Sequence, residues 1–338
     1  MTCRRFALLF LALALLLTLA ACVVRDDGVG RSAEEPAEGS AAPVSAPGPW
    51  VKLTMGTSGV KGTYFPYGNA IASVLMGHIE GLDITVLPTN GSQDNICAIA
   101  DKVFSAAIVQ GDVMHYAVTG SELFIEALGG FSAVARLYPE ACHIVARPDI
   151  ETIADLRGKK VSIGAVGYGT AFNAVQILAA YDMTVLDVKA FNLDFAASAE
   201  AFKNGRIDAF FCVDGLPATS VTELAATEEI TLLDIDDAHA GRLIELYPYY
   251  RRHEIAGGTY RGVAEIVRTV SIEAALIVSD DLSEDLVYSI TKTLFECKDE
   301  IAALHPKGSY LDADSAMQGI SVPFHPGANK YYYEIGVW

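Results

Sequence analysis

From Trp50 onward, short runs with strand periodicity are followed again and again by runs with helical periodicity, and no other property of the sequence restricts the fold as strongly. Val51, Leu53 and Met55 repeat every second residue, and beyond the next loop Ile71, Val74, Leu75 and Ile79 fall on one helical face. Asp83 to Leu87 leads to Ile96, Ile99, Ala100 and Val103, and Ala106 to Val109 leads to a short helix from Asp112. Val161 to Ile163 precedes a helix from Thr170, and Ile207 to Val213 precedes another over Ala218 to Thr227. Strands that each return through a helix pair mostly in parallel, so the expected class is α/β. Near the end, Leu286, Ile290, Leu294, Cys297 and Ile301 stripe one long helix with Ser283 as its N-cap.

Two stretches break the alternation. Ala133 to Arg147 and Val267 to Ser279 are long, apolar and β-rich, and each lies between blocks of βα units. They are expected to cross between two lobes, which suits a chain of 338 residues. Lobe I is then discontinuous, 50–142 with 258–338, and lobe II is the insertion 143–257.

The first residues belong to targeting rather than to the fold. Arg4 and Arg5 precede an apolar run from Phe6 to Leu17, and Leu19-Ala20-Ala21-Cys22 has the form of a bacterial lipobox. Residues 1–21 are therefore expected to be a lipoprotein signal peptide and Cys22 the acylated site. Residues 22–49, rich in Ala, Pro, Gly, Ser and Glu, hold too few large apolar side chains to offset the entropy of ordering and read as a disordered tether. The protein is placed outside the cytoplasm, lipid-anchored to a bacterial membrane. Cys97, Cys142, Cys212 and Cys297 lie far apart without a C-x-x-C pair, so buried thiols are expected rather than a metal site. With 24 Lys+Arg against 42 Asp+Glu, a net charge of −18, a phosphate-neutralising surface is excluded, and nucleic acid with it.

Four loops stand where ligands bind in α/β proteins, at the carboxyl ends of strands. They are Gly56-Thr57-Ser58-Gly59-Val60-Lys61-Gly62-Thr63-Tyr64-Phe65-Pro66, Thr89-Asn90-Gly91-Ser92-Gln93-Asp94-Asn95, Gln110-Gly111-Asp112, and Gly164-Ala165-Val166-Gly167-Tyr168-Gly169-Thr170. Ser92 is expected to cap the helix after the second loop, and the amides of the fourth to converge on an anion. Neither glycine-rich loop has the Lys-Ser/Thr ending of a P-loop or the spacing of a dinucleotide fold, and no cofactor is expected. No serine elbow and no paired zinc-binding histidines occur, so no catalytic or metal residues are assigned. Lys61, an ammonium beside an anion-favouring loop, is a candidate contact for a second carboxylate.

These loops occur in one order with Leu137-Tyr138-Pro139-Glu140, Ala154-Asp155-Leu156-Arg157-Gly158-Lys159, Gly258-Thr259-Tyr260 and Pro323-Phe324-His325-Pro326-Gly327-Ala328. Over residues 50–338 the chain resembles the TAXI family, the solute receptors of tripartite ATP-independent periplasmic (TRAP) transporters. The resemblance implies a type II periplasmic-binding-protein fold, two α/β lobes joined by crossover strands with a ligand cleft between them. It also implies a monomer that captures a small carboxylate or amino acid, glutamate-like, and passes it to a TRAP membrane permease without catalysis. It points to Ser58, Thr63 and Tyr64, to Gly91, Ser92 and Asn95, to Gln110 and Asp112, and to Gly169, Thr170 and Asn173 as ligand-binding residues. Val60, Lys61 and Asn90 depart from the family's usual residues. Two other readings use the same fold: a receptor that presents its ligand to a membrane sensor kinase, and an extracytoplasmic enzyme with Asp112 and Tyr64 as its only weak acid–base pair.

Overall fold

The computed structural model describes residues 50–122 and 124–337, so the expected signal peptide, Cys22 and the tether lie outside the described residues. In chain order the first block is β1 (Val51–Gly56), α1 (Tyr64–His78), β2 (Leu82–Leu87), α2 (Ser92–Ala100), β3 (Ala106–Gln110) and α3 (Gly111–Thr119). The long strand β4 (Phe131–Ala146) leads to β5 (Lys160–Ser162), α4 (Gly169–Ala180), β6 (Lys189–Phe191), α5 (Phe195–Lys203), β7 (Ala209–Gly215) and α6 (Thr219–Ala225). Then follow β8 (Thr231–Leu232), α7 (Asp237–Leu246), β9 (Arg251–Ile255), the second long strand β10 (Val267–Ser279), and α8 (Glu284–Glu296), α9 (Lys298–Leu304) and α10 (Pro326–Ile335).

The strands lie in the order β2-β1-β3-β10-β4-β7-β5-β6, with β8 beside β4 and β9 beside β10. β1 is parallel to β2 and β3, and β5 is parallel to β6 and β7, while the central β4 and β10 run antiparallel to each other. Two parallel sheets are thus joined by a pair of crossover strands, which shift register between Ala274 and Ala275 and again between Leu276 and Ile277. Such bulges bend and twist a strand.

Both faces of each block are covered, which is why its strands read as unbroken apolar runs. Ile108 of β3 packs with Ile71 and Leu75 of α1 and with Leu294 and Tyr332 of α8 and α10, whereas its neighbour Val109 packs with Ile96 and Val113 of α2 and α3. In the other block Phe211 and Val213 of β7 face Ile177 and Leu243 of α4 and α7, and Phe210 and Cys212 face Phe202 and Val221 of α5 and α6. The period of two in β7 therefore serves two cores at once.

Two expectations change. The single helix read from Leu286 to Ile301 breaks at Cys297 (φ −105°, ψ 22°), which ends α8 and starts α9; Ser283 does cap α8, accepting from Leu286 N at 3.3 Å. Cys142 and Cys212 are buried thiols as expected, but Cys97 and Cys297 are only half-buried.

His143 of β4 is 1% exposed and held in a chain: Tyr260 OH lies 2.8 Å from Nε2, and Nδ1 lies 3.0 Å from the Cys212 carbonyl. A neutral ring with its proton on Nδ1 satisfies both partners, and burial pushes its pKa down to about 4. A folded state that excludes a proton the unfolded chain binds is fully stabilised above pH 6.5 and loses stability as pH falls from there to about 4, by roughly 3 kcal/mol. In urea titrations at pH 7.5 and 4.5, His143→Asn should start less stable than wild type but lose about 2.5 kcal/mol less on acidification. Parallel losses in the two proteins would assign the acid sensitivity to other groups.

Candidate functional site

The carboxyl ends of the strands in both blocks meet around one cavity. It is lined by Ser58, Gly62, Thr63 and Tyr64 from the loop before α1, Gly91 and Ser92 before α2, Gln110 ending β3, Glu140 of β4, Tyr168, Gly169 and Thr170 opening α4, and Phe195, Val213 and Asp214. About 330 Å³ in the cavity and the open solvent at its mouth is free of atoms, and only about 30 Å³ would take the centre of a water molecule. The site is narrow and suits a small solute.

Three helices, α1, α2 and α4, begin at this cavity, and no side chain caps any of the three. The first amides and dipoles of α2 and α4 favour an anion there, whereas the N-cap amide of α1 is already given to the Asp214 carboxylate. Ser92 is not the cap of α2 but its first residue: Gly91 (φ 95°) takes the N-cap, a backbone that glycine adopts without strain. The Ser92 hydroxyl instead accepts from Gln110 N at 3.0 Å, tying α2 to β3.

The same cavity carries two acids, both held at the start of α1. Tyr64 OH donates to Glu140 Oε2 at 2.8 Å, and Asp214 Oδ1 accepts from Gly215 N at 2.8 Å and from Thr63 N at 3.4 Å. Both acids are 2% exposed, and burial raises both pKa values, that of Glu140 to well above the usual carboxylate range, with the Asp214 charge adding to it. Lys307 packs behind them, its Nζ donating to the Leu216 carbonyl at 2.5 Å and lying 5.2 Å from the Tyr138 ring centre.

Three residues expected to touch ligand lie behind the cavity wall. Asn95 Nδ2 donates to the carbonyls of Thr57 at 2.7 Å and Ile108 at 3.0 Å, bracing the first loop against β3. Asp112 and Asn173 meet in a network that spans the two blocks. Gln110 Nε2 donates to Asp112 Oδ1 at 2.9 Å and to Asn173 Oδ1 at 2.7 Å, and Asn173 Nδ2 donates to Asp112 Oδ2 at 2.9 Å and to Tyr250 OH at 2.9 Å. Tyr250 OH donates onward to Gln176 Oε1 at 2.7 Å, and Gln176 Nε2 to Tyr116 OH at 2.6 Å. Burial raises the Asp112 pKa to about 6 against the pull of the Asn173 and Gln110 amides.

Lys61 is not brought to the cavity. Its Nζ pairs with Glu223 Oε2 at 2.7 Å, with both side chains about half exposed, beside a separate surface hollow shared with Ala196 and Ser220. Because Glu223 belongs to α6, this pair links the rims of the two blocks.

Glu140, Tyr168, Phe195 and Asp214 were not among the expected contacts. A signal existed for Asp214, since an acid directly after the apolar run Ala209–Val213, at the carboxyl end of β7, stands where α/β sheets hold their ligands. Glu140 lies inside the quoted Leu137-Tyr138-Pro139-Glu140 motif, but nothing local tells a cavity acid from a surface one. Among the described residues, His78 of α1, Cys297 at the break between α8 and α9, and Glu300 of α9 place three potential ligand atoms within 4.8 Å of one another, away from the cavity.

Two α/β lobes, antiparallel crossover strands and a cleft at the strand ends define the type II periplasmic-binding-protein fold. A structure from the study of glutathione import through GshT and the cystine ABC importer TcyBC of Streptococcus mutans superposes with a TM-score of 0.51 at 12% identity, over 82% of this chain and 99% of that one. The alkanesulfonate-binding protein SsuA of Xanthomonas axonopodis pv. citri, bound to MOPS, gives 0.49 at 14% identity, covering 85% and 84%. The glutamate-bound GluR0 ligand-binding core of Nostoc punctiforme gives 0.47 at 13%, covering 75% and 98%. Within this fold the chain belongs to the NMT1-like family, whose model matches residues 55–336.

Proposed function

We propose that the protein is an extracytoplasmic solute-binding receptor that closes two lobes on a small carboxylate or amino acid and delivers it to a TRAP-type permease. The observation that carries this reading is the cavity itself: it is walled by both parallel blocks, entered by uncapped helix N-termini, and backed by a hydrogen-bond network that exists only when the blocks meet. Lobe I is taken as 50–142 with 258–338 and lobe II as 143–257; the separate cores on either side of the crossover strands support two lobes, with Tyr260, Val267, Val270 and Ile272 packing on the lobe II side. The order of loops shared with the TAXI family supports the TRAP assignment over an ATP-driven importer.

Proteoliposomes holding the permease, an ion gradient and no ATP should accumulate a radiolabelled solute only when the receptor is added. A requirement for ATP would sink the TRAP half of the reading. Anchoring through Cys22 is tested separately: Cys22→Ser should move the protein from the membrane fraction to the soluble one, and a variant that stays with the membrane would contradict the lipobox.

A further inference from the structure

We propose that Glu140 and Asp214 form a subsite for a protonated amine, so that the solute is a zwitterion of amino-acid type rather than a simple carboxylate. The inference deepens the receptor reading and rests on it. Both acids line the cavity and are almost fully buried. Glu140 holds one donor, Tyr64 OH, while Asp214 spends Oδ1 on two backbone amides and leaves Oδ2 buried with no partner among the described residues. A buried carboxylate oxygen without a donor is costly, and an N–H donor at that point would remove the cost.

Charge counting gives the same answer. Lys307 lies directly behind the acids, for a Cβ on Gly215 would stand 2.9 Å from its Nζ, and that ammonium is committed to the Leu216 carbonyl and to the rings of Tyr138 and Tyr310. With both acids ionised, two carboxylates and one lysine leave one negative charge; a proton held on Glu140 balances it, and a ligand ammonium would take that proton's place. A dicarboxylate set against this wall would meet like charge and leave Asp214 Oδ2 unanswered. In the same lining the openings of α2 and α4, at Ser92 and at Gly169-Thr170, favour an anion. The cavity is therefore polarised, with a place for a carboxylate at the helix ends and a place for an amine at the acids.

Matched pairs of probes test this on the full-length wild-type protein by calorimetry: L-glutamate against 2-oxoglutarate and glutarate, L-alanine against pyruvate, and L-leucine against 4-methyl-2-oxopentanoate. The best amine-bearing probe should bind at least about thirtyfold tighter than its deaminated partner, within the range of a charge-assisted hydrogen bond. Asp214→Asn, which puts a donor where the orphaned oxygen stands, should bring that ratio close to one. Should the variant not fold, the wild-type ratios decide the matter alone. Equal or tighter binding of the deaminated partners overturns the amine subsite and leaves the receptor reading standing. Failure of every probe in both sets overturns the receptor reading and the subsite together.

Discussion

Gly169→Val is expected to abolish solute binding while leaving the fold nearly as stable as wild type. A Cβ at this position would stand 2.6 Å from three atoms of the Gln110 side-chain amide, whose Nε2 already bonds both Asp112 and Asn173. The glycine is required for that close approach and not for a left-handed backbone, since its φ is ordinary while Gly164 and Gly167 carry φ of +100° and +90°. Val at the first position of α4 costs the helix little, so the clash is relieved by parting the two blocks rather than by unfolding them. The affinity for L-glutamate, the first probe, should fall at least about 100-fold, near 2.7 kcal/mol. The thermal midpoint should move by only a few degrees. Calorimetric titration beside differential scanning calorimetry checks both, and unchanged affinity would remove the fourth loop from the site.

The second large effect is expected in the network behind the cavity. Asp112 lies in α3 and Asn173 in α4, so their 2.9 Å bond joins the two parallel blocks. Asp112→Ala and Asn173→Ala should each weaken binding by about tenfold or more, and the double substitution should cost less than the sum, with a coupling of about 1.5–3 kcal/mol for a buried charged hydrogen bond. Asp112 titrates near pH 6, and a protonated carboxyl has given up part of its acceptor capacity. The coupling measured at pH 7.5 should therefore shrink at pH 5. Additive losses at both pH values would make the network two independent supports rather than a latch.

Much of the architecture was legible because its cause is local or periodic. The crossover strands β4 and β10 are apolar over lengths that no edge strand needs, and the glycine loops fall where a strand must turn into a helix within a few residues. The break at Cys297 was not legible, because Leu294, Cys297 and Ile301 keep helical spacing across it; the bend is set by how α9 packs, with Ile301 buried against the core of the first block. β9 was missed since Arg251, Arg252, His253 and Glu254 read as a solvated charge run, and only its pairing with β10 makes it a strand.

The site divided in the same way. Gly91, Ser92, Gly169 and Thr170 line the cavity. Asn95, Asp112 and Asn173 lie near the starts of α2, α3 and α4 and turn behind the cavity wall, because their side-chain amides and carboxylate meet partners far along the chain. Glu140 and Asp214 come from neighbouring strands of different segments, Ala141 of β4 pairing with Asp214 of β7, and a juxtaposition of that kind has no signature in either segment alone. Lys61 drew attention by its charge, and its charge is answered by Glu223 instead.

The central claim, that this protein holds one small solute between its lobes, is tested most directly by native mass spectrometry after incubation with a small-molecule extract of the cell envelope. Wild type should carry a single solute at one copy per chain, released intact on denaturation, and Gly169→Val treated in parallel should carry none. A wild-type protein that emerges without any solute, or a variant that retains the same solute to the same extent, would contradict the account.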